Sequence, residues 1–215
     1  MPPPRQRVLV LFAHPASHRS RVQRRLAVAV RGLEGVTFHD LYDAYPDFDV
    51  DVAREQALLR EHDLVVLQHP FYWYSTPPLV KQWLDLVLEH GWAYGRGGHA
   101  LRGKRLLCAV TTGGSLGSYA RDGHNRFTIR ELLAPLEQTV HLCGLEFLPP
   151  FVVAGTHALG DAEIVRAAEG YERLVRGLRD GLFDLGALRA HAQLGPELEG
   201  LREAGGPAQA APAGR

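Results

Sequence analysis

The sequence predicts an α/β fold, a doubly wound parallel sheet of five strands in the order 2-1-3-4-5. Three observations carry the prediction. Short apolar runs of strand length recur along the chain, the apolar spacing between them changes to a period near 3.6, and the two patterns alternate strictly, strand then helix. Parallel strands need crossovers long enough to hold a helix, and such crossovers are right-handed, so the helices cover both faces of one sheet. In the 2-1-3-4-5 order the winding reverses between strands one and three, and ligands bind at that reversal.

Each element follows in order. The first strand is read at Val8-Leu9-Val10-Leu11-Phe12, and residues 36–41, 64–67, 106–111 and 145–154 supply the others, the last interrupted by Pro149-Pro150. Val22, Leu26, Ala29, Val30 and Leu33 form the apolar stripe of a first helix, and residues 52–61 form a second with a weaker stripe. The third crossover opens with Ser75-Thr76-Pro77-Pro78, a hydroxyl cap followed by proline in the first turn, where its missing N–H costs nothing. Its stripe is Val80, Trp83, Leu84, Val87 and Leu88. Ile129, Leu132, Leu133, Leu136, Val140 and Cys143 mark a fourth helix, and Ile164, Val165, Ala168, Tyr171, Leu174, Val175, Leu178 and Leu182 a fifth. From about Phe183 the pattern fades. Residues 1–183 are therefore read as the domain and 184–215 as a C-terminal extension, disordered over the Gly, Ala and Pro stretch 205–212.

The chain has 215 residues, 46% hydrophobic, with 24 basic and 24 acidic side chains, which fits one globular domain. Folding at this length hides roughly 70% of the extended chain's surface, enough for a core without disulfides or a structural metal. Cys108 and Cys143 sit in apolar stretches and read as buried thiols, with no zinc spacing available. A net charge of zero and the lack of any Lys/Arg run argue against nucleic acid as a partner. The apolar run 8–13 is far too short to span a bilayer and is followed by His14-Pro15, not a small-residue cleavage site, so a cytoplasmic location is expected.

The loops after strands one, three and four should share one crevice beyond the carboxyl ends of the strands. The first, His14-Pro15-Ala16-Ser17-His18-Arg19-Ser20-Arg21, ends at a helix N-terminus, where free N–H groups and the helix dipole favour an anion. Ser20-Arg21-Val22-Gln23 also matches a capping box, and a cap and a phosphate can share the same helix end. The second loop carries Phe71, Tyr72, Trp73 and Tyr74 in succession, which suits a flat ligand or, alternatively, a satellite cluster or a dimer interface. The third, Thr111-Thr112-Gly113-Gly114, offers hydroxyls and bare backbone to a planar polar ring; on its own it is also an ordinary turn.

A phosphate socket, an aromatic wall and a backbone-lined edge at one crevice together suit a flavin nucleotide. No Gly-x-Gly-x-x-Gly follows the first strand, and the P-loop is missing as well. A receiver-type signalling domain would gather acidic residues where this chain has Ala13-His14-Pro15.

Several of these segments carry a resemblance: Ala13-His14-Pro15, Leu41-Tyr42-Asp43-Ala44-Tyr45-Pro46-Asp47-Phe48, Gln68-His69-Pro70, Trp73-Tyr74-Ser75-Thr76-Pro77-Pro78, His90-Gly91-Trp92-Ala93-Tyr94-Gly95, Thr111-Thr112-Gly113-Gly114 and Cys143-Gly144-Leu145. From residue 7 to residue 155 the chain resembles the flavodoxin-like NAD(P)H:quinone oxidoreductases, most closely the ancillary subunits of glutathione-regulated potassium-efflux systems. The resemblance implies FMN or FAD as cofactor, with the potassium-efflux branch looking like FMN binders, and NADPH or NADH as donor for two-electron, ping-pong reduction of quinones. Carried over by position, His14, Ser20, Arg21, Val22 and Gln23 would hold the flavin phosphate, Phe71, Tyr72, Trp73 and Tyr74 would line the ring, and Thr111, Thr112, Gly113 and Gly114 would bond its edge. Tyr119 and His124 match the Tyr and His that assist charge on the reduced flavin or quinone. The chain departs from its relatives at Tyr72, where they usually carry Gln, at Gln23, where they carry Asn, and over residues 115–126. The resemblance also implies a homodimer and, as the alternative reading of its function, a flavin-bearing regulatory subunit that docks on the cytoplasmic face of a membrane potassium/proton antiporter and activates it. No metal site is expected.

Overall fold

The computed structural model describes residues 5–199 and 201. Strand β1 (Val8–Phe12) leads through a 3-10 turn (Ser17–Arg19) into helix α1 (Val22–Val30), and β2 (Val36–Asp40) runs directly into α2 (Leu41–Ala44) and then α3 (Val52–Glu61). There follow β3 (Leu64–Pro70), α4 (Pro78–Val87), β4 (Arg105–Thr111), a second 3-10 turn (Leu116–Tyr119), α5 (Ile129–Leu132) and α6 (Ala134–Leu142). Then come β5 (Glu146–Phe147), β6 (Phe151–Val153), α7 (Asp161–Arg179) and α8 (Leu185–Arg189).

The strands pair in parallel in the order β2-β1-β3-β4-β5, with Val8 in register with both Val36 and Leu64, as the sequence predicts. The fifth position is filled by two pieces: β5 pairs with the start of β4 and β6 with its end. Pro149-Pro150 lies between them, and without N–H groups those residues cannot donate to a sheet ladder. Alternate residues of each strand face opposite helical layers. Leu9, Leu11, Val65, Leu67, Cys108 and Val110 share one apolar cluster with α3, α4 and α6; Val8, Val10, Leu64, Val66, Leu107 and Ala109 share another with α1 and α7.

Four boundaries differ from the sequence reading. Leu41 does not end the second strand but starts a helical turn, because the Asp40 carboxylate accepts hydrogen bonds from the Tyr42 and Asp43 N–H groups and caps it. The third strand continues past Leu67 to Pro70, its last residues pairing with Ala109, Val110 and Thr111. The fourth helix is split at Leu133, because Pro135 has no N–H for an intrahelical bond and its ring crowds the carbonyl of Glu131. Beyond Phe183 the chain packs onto the same core: Asp184 caps α8, Leu188 and Leu194 are buried beside Phe151, and the Val152 N–H donates to the Leu194 carbonyl at 2.8 Å. Residues 205–212 lie outside the described residues.

Candidate functional site

A cleft of about 620 Å³ opens at the carboxyl ends of β1, β3 and β4, lined by His14, Ala16, Arg19, Ser20, Arg21 and Val22 on one side, Pro70, Phe71, Tyr72 and Trp73 on a second, and Thr111 and Gly113 at its back. The sheet order makes this place. β1 and β3 are neighbours whose crossovers leave toward opposite faces, so their loops splay apart.

On the first side, the Ser20 hydroxyl accepts from the Gln23 N–H at 3.1 Å and caps α1. The N–H groups of Arg21 and Val22 open the helix, ahead of any intrahelical acceptor, at its positive dipole end. His14 is buried, and its Nδ1 accepts from the Ala16 N–H at 3.0 Å, so the ring is neutral and its proton sits on Nε2. Burial lowers its pKa and keeps it so. Arg21 pairs with Asp161 across the rim at 2.8 Å, an exposed and therefore weak bridge.

The second side is a strained turn. Tyr72 and Ser75 exchange hydrogen bonds, N–H to carbonyl, at 3.0 and 2.9 Å, and the two residues between them, Trp73 and Tyr74, have φ of 48° and 62°. Two successive positive φ values in a two-residue loop are the mark of a type I′ turn, which Asn and Gly normally fill. Here two aromatic residues hold it, and Trp73 is 92% exposed. The turn's own bonds use Tyr72 and Ser75, leaving the Trp73 and Tyr74 N–H groups without a protein acceptor among the described residues. Phe71 is buried and donates its N–H to the Thr111 carbonyl at 2.9 Å, which ties the turn's base to β4. Tyr72 meets His14 edge-on, ring centres 6.0 Å apart.

The third loop is pinned from behind. The Thr112 hydroxyl donates to the Gly114 carbonyl at 2.9 Å, so its side chain stabilises the turn and does not face the cleft. Tyr119 stands beside Gly114, neither of them lining the cleft, with its ring centre 6.2 Å from that of Phe71, and partial burial raises its phenol pKa, keeping the O–H protonated.

Not all the expected residues converge. The Gln23 side chain is fully buried away from the cleft: its amide donates to the His69 carbonyl at 2.7 Å and to the Thr111 hydroxyl at 3.2 Å, and its own oxygen accepts from Gln68 at 2.8 Å. Tyr171 completes that network by donating to Gln68 Oε1 at 3.1 Å. Gln23 therefore corrects the expectation that it holds the phosphate, since its donors and its N–H are already engaged inside the protein. Tyr74 turns toward the 115–126 stretch, donating from its hydroxyl to Asn125 Oδ1 at 3.2 Å, and His124 beside Asn125 is exposed and does not line the cleft. Thr156 and His157, on the loop from β6 to α7, do line it and were not anticipated. The split fifth strand ends at the same edge of the sheet, which is the sequence signal that could have found them.

The cleft can bind an anion at the α1 end and a flat polar group between the turn and the Thr111–Gly113 backbone. Fold and cleft together define a doubly wound α/β protein with an open cleft at the switch point. The chain belongs to the flavodoxin-like fold family, whose model matches residues 6–175. Among solved structures it is similar to a chain described as a thermophilic tryptophan halogenase from S. violaceusniger (44% identity, 78% of this chain and 97% of that one, TM-score 0.76). It is also similar to general stress protein 14 of Treponema denticola, solved in complex with FMN (39%, 80% and 99%, TM-score 0.77). A third relative is an NADPH-quinone reductase of P. pentosaceus (33%, 78% and 96%, TM-score 0.71).

Proposed function

We propose that the protein is an FMN-dependent NAD(P)H oxidoreductase that reduces quinones by two electrons, with donor and quinone occupying the same open side of the cleft in turn. The observation that carries this reading is the convergence of an anion-binding helix end, a wall of exposed aromatics and a bare backbone edge on a single cleft. Its volume lies within the usual range for small-ligand sites. Support also comes from two relatives, one solved with FMN and one named an NADPH-quinone reductase.

The residues present fit such a cofactor. The phosphate would be held by the N–H groups of Arg21 and Val22, with Arg19, Arg21 and the His14 Nε2–H as further donors. The ring would be bordered by Phe71, Tyr72 and Trp73 and by Thr111 and Gly113. When bound, the flavin supplies the two-electron acceptor chemistry. This chain's part is to orient, to aim backbone donors where negative charge develops, and to hold a proton on the Tyr119 hydroxyl for the quinone oxygen. The same reading makes the chain a homodimer with the exposed aromatic turn in the shared interface.

Steady-state oxidation of NADPH by the FMN-loaded protein, with quinone varied, tests the proposal. Parallel double-reciprocal lines are expected. Intersecting lines would remove the alternating order, and the lack of quinone-dependent oxidation would remove the function.

A further inference from the structure

His157 lies on the loop between β6 and α7, outside the segments that the resemblance covers, and its exposed imidazole lines the cleft. Its position is fixed from two directions. The loop is stapled to the loop after β4 by three backbone hydrogen bonds, from Thr112 N–H to the Val153 carbonyl at 3.0 Å, Gly155 N–H to the Gly114 carbonyl at 2.8 Å, and Thr156 N–H to the Thr112 carbonyl at 3.0 Å. The imidazole itself occupies the space left by the missing side chain of Gly113: a Cβ there would meet His157 Nε2 at 2.5 Å and Cδ2 at 2.8 Å. The bare backbone at Gly113 thus has a reason beyond turn formation, because it admits the ring to the back of the cleft.

From this geometry we propose that His157 is a fourth-loop ligand residue, contacting the ribityl and ring portion of the bound flavin on its Gly113 side, not the phosphate. The inference rests on the flavin reading above. The phosphate end of the cleft is the α1 end, whereas His157 packs on the loop that closes the opposite side. An imidazole, with one donor and one acceptor nitrogen, suits the hydroxyls and carbonyls of that portion.

The test titrates apoprotein with FMN and, separately, with riboflavin, which has the ring and ribityl chain but no phosphate, following quenching of flavin fluorescence. His157→Ala is expected to weaken both ligands by roughly five- to tenfold, the effect of one lost hydrogen bond. His157→Gln, which keeps a donor and an acceptor, restores most of the loss. The thermal melting of both apo variants stays at the wild-type value, because the side chain is exposed. Unchanged affinity of His157→Ala for both ligands, or a loss confined to FMN, overturns this proposal while leaving the flavin reading in place. Failure of the wild-type protein to bind either ligand overturns both.

Discussion

Replacing Trp73 by Asn should stabilise the apoprotein while weakening its hold on flavin. At φ 48° Trp73 occupies the left-handed region, where an ordinary L side chain crowds the following carbonyl oxygen. That crowding costs roughly 1–2 kcal/mol, and Asn tolerates the region far better. Trp73 is 92% exposed, so its removal gives up almost no burial to set against the relief. The expected gain is about 1 kcal/mol, which in a domain of this size raises Tm by roughly 2–4 °C. Trp73→Ala is the control: it removes the same indole but keeps an ordinary Cβ, and should gain nothing. Denaturant and thermal unfolding of the three apoproteins provide the stability comparison, and fluorescence titration the FMN affinity. Equal stability of the Asn and Ala variants, or a Trp73→Asn protein less stable than the parent, would refute a backbone strain at this position. Improved stability with undiminished FMN affinity would refute the functional half, because the strain would then serve no ligand.

Other perturbations probe separate parts of the molecule. His69 is fully buried, its Nδ1–H donating to the Pro70 carbonyl at 2.9 Å and its Nε2 without a partner among the described residues, and burial pushes its pKa down to about 4. The unfolded chain therefore takes up this proton first, so stability is complete above pH 6.5 and falls, by about 3 kcal/mol in total, as pH drops toward 4. Urea unfolding between pH 7.5 and 4.5 should show that slope and His69→Gln should flatten it; an unchanged slope would remove His69 as its source. Tyr171→Phe leaves the buried Gln68 oxygen without its donor and should cost about 1–2 kcal/mol, visible as a lower urea midpoint at constant slope. Ser20→Ala removes the cap on the Gln23 N–H and should cost about 1 kcal/mol of stability, measured by the same urea unfolding. Tyr119→Phe should lower turnover with flavin still bound, and unchanged kinetics would take that hydroxyl out of the mechanism.

The sheet order was legible because alternation, handedness and strand number leave few topologies, and apolar strands such as Val8–Phe12 are buried on both faces. Boundaries were less so. The Asp40 cap and the Pro135 break are single-residue effects that override a continuing apolar pattern. The segment beyond Phe183 shows no periodic stripe in the sequence because it joins the core through isolated residues, Leu188 and Leu194. At the cleft, the loop residues nearest the strand ends were placed by topology. Gln23 was not, because at a helix start the backbone faces the ligand while the side chain can point inward, and spacing alone does not separate the two. His157 is not legible from spacing, because the space its ring fills is left by Gly113, 44 residues earlier in the chain.

On the proposed function, this cleft holds a flavin that passes electrons from a nicotinamide donor to a quinone. The visible absorption spectrum of the purified protein incubated with FMN and gel-filtered, then treated with NADPH and afterwards with a quinone, tests it most directly. A yellow protein that NADPH bleaches and quinone recolours is the result predicted here. A protein that emerges colourless after incubation with either FMN or FAD would contradict the account, leaving the cleft of this flavodoxin-like chain to a different ligand.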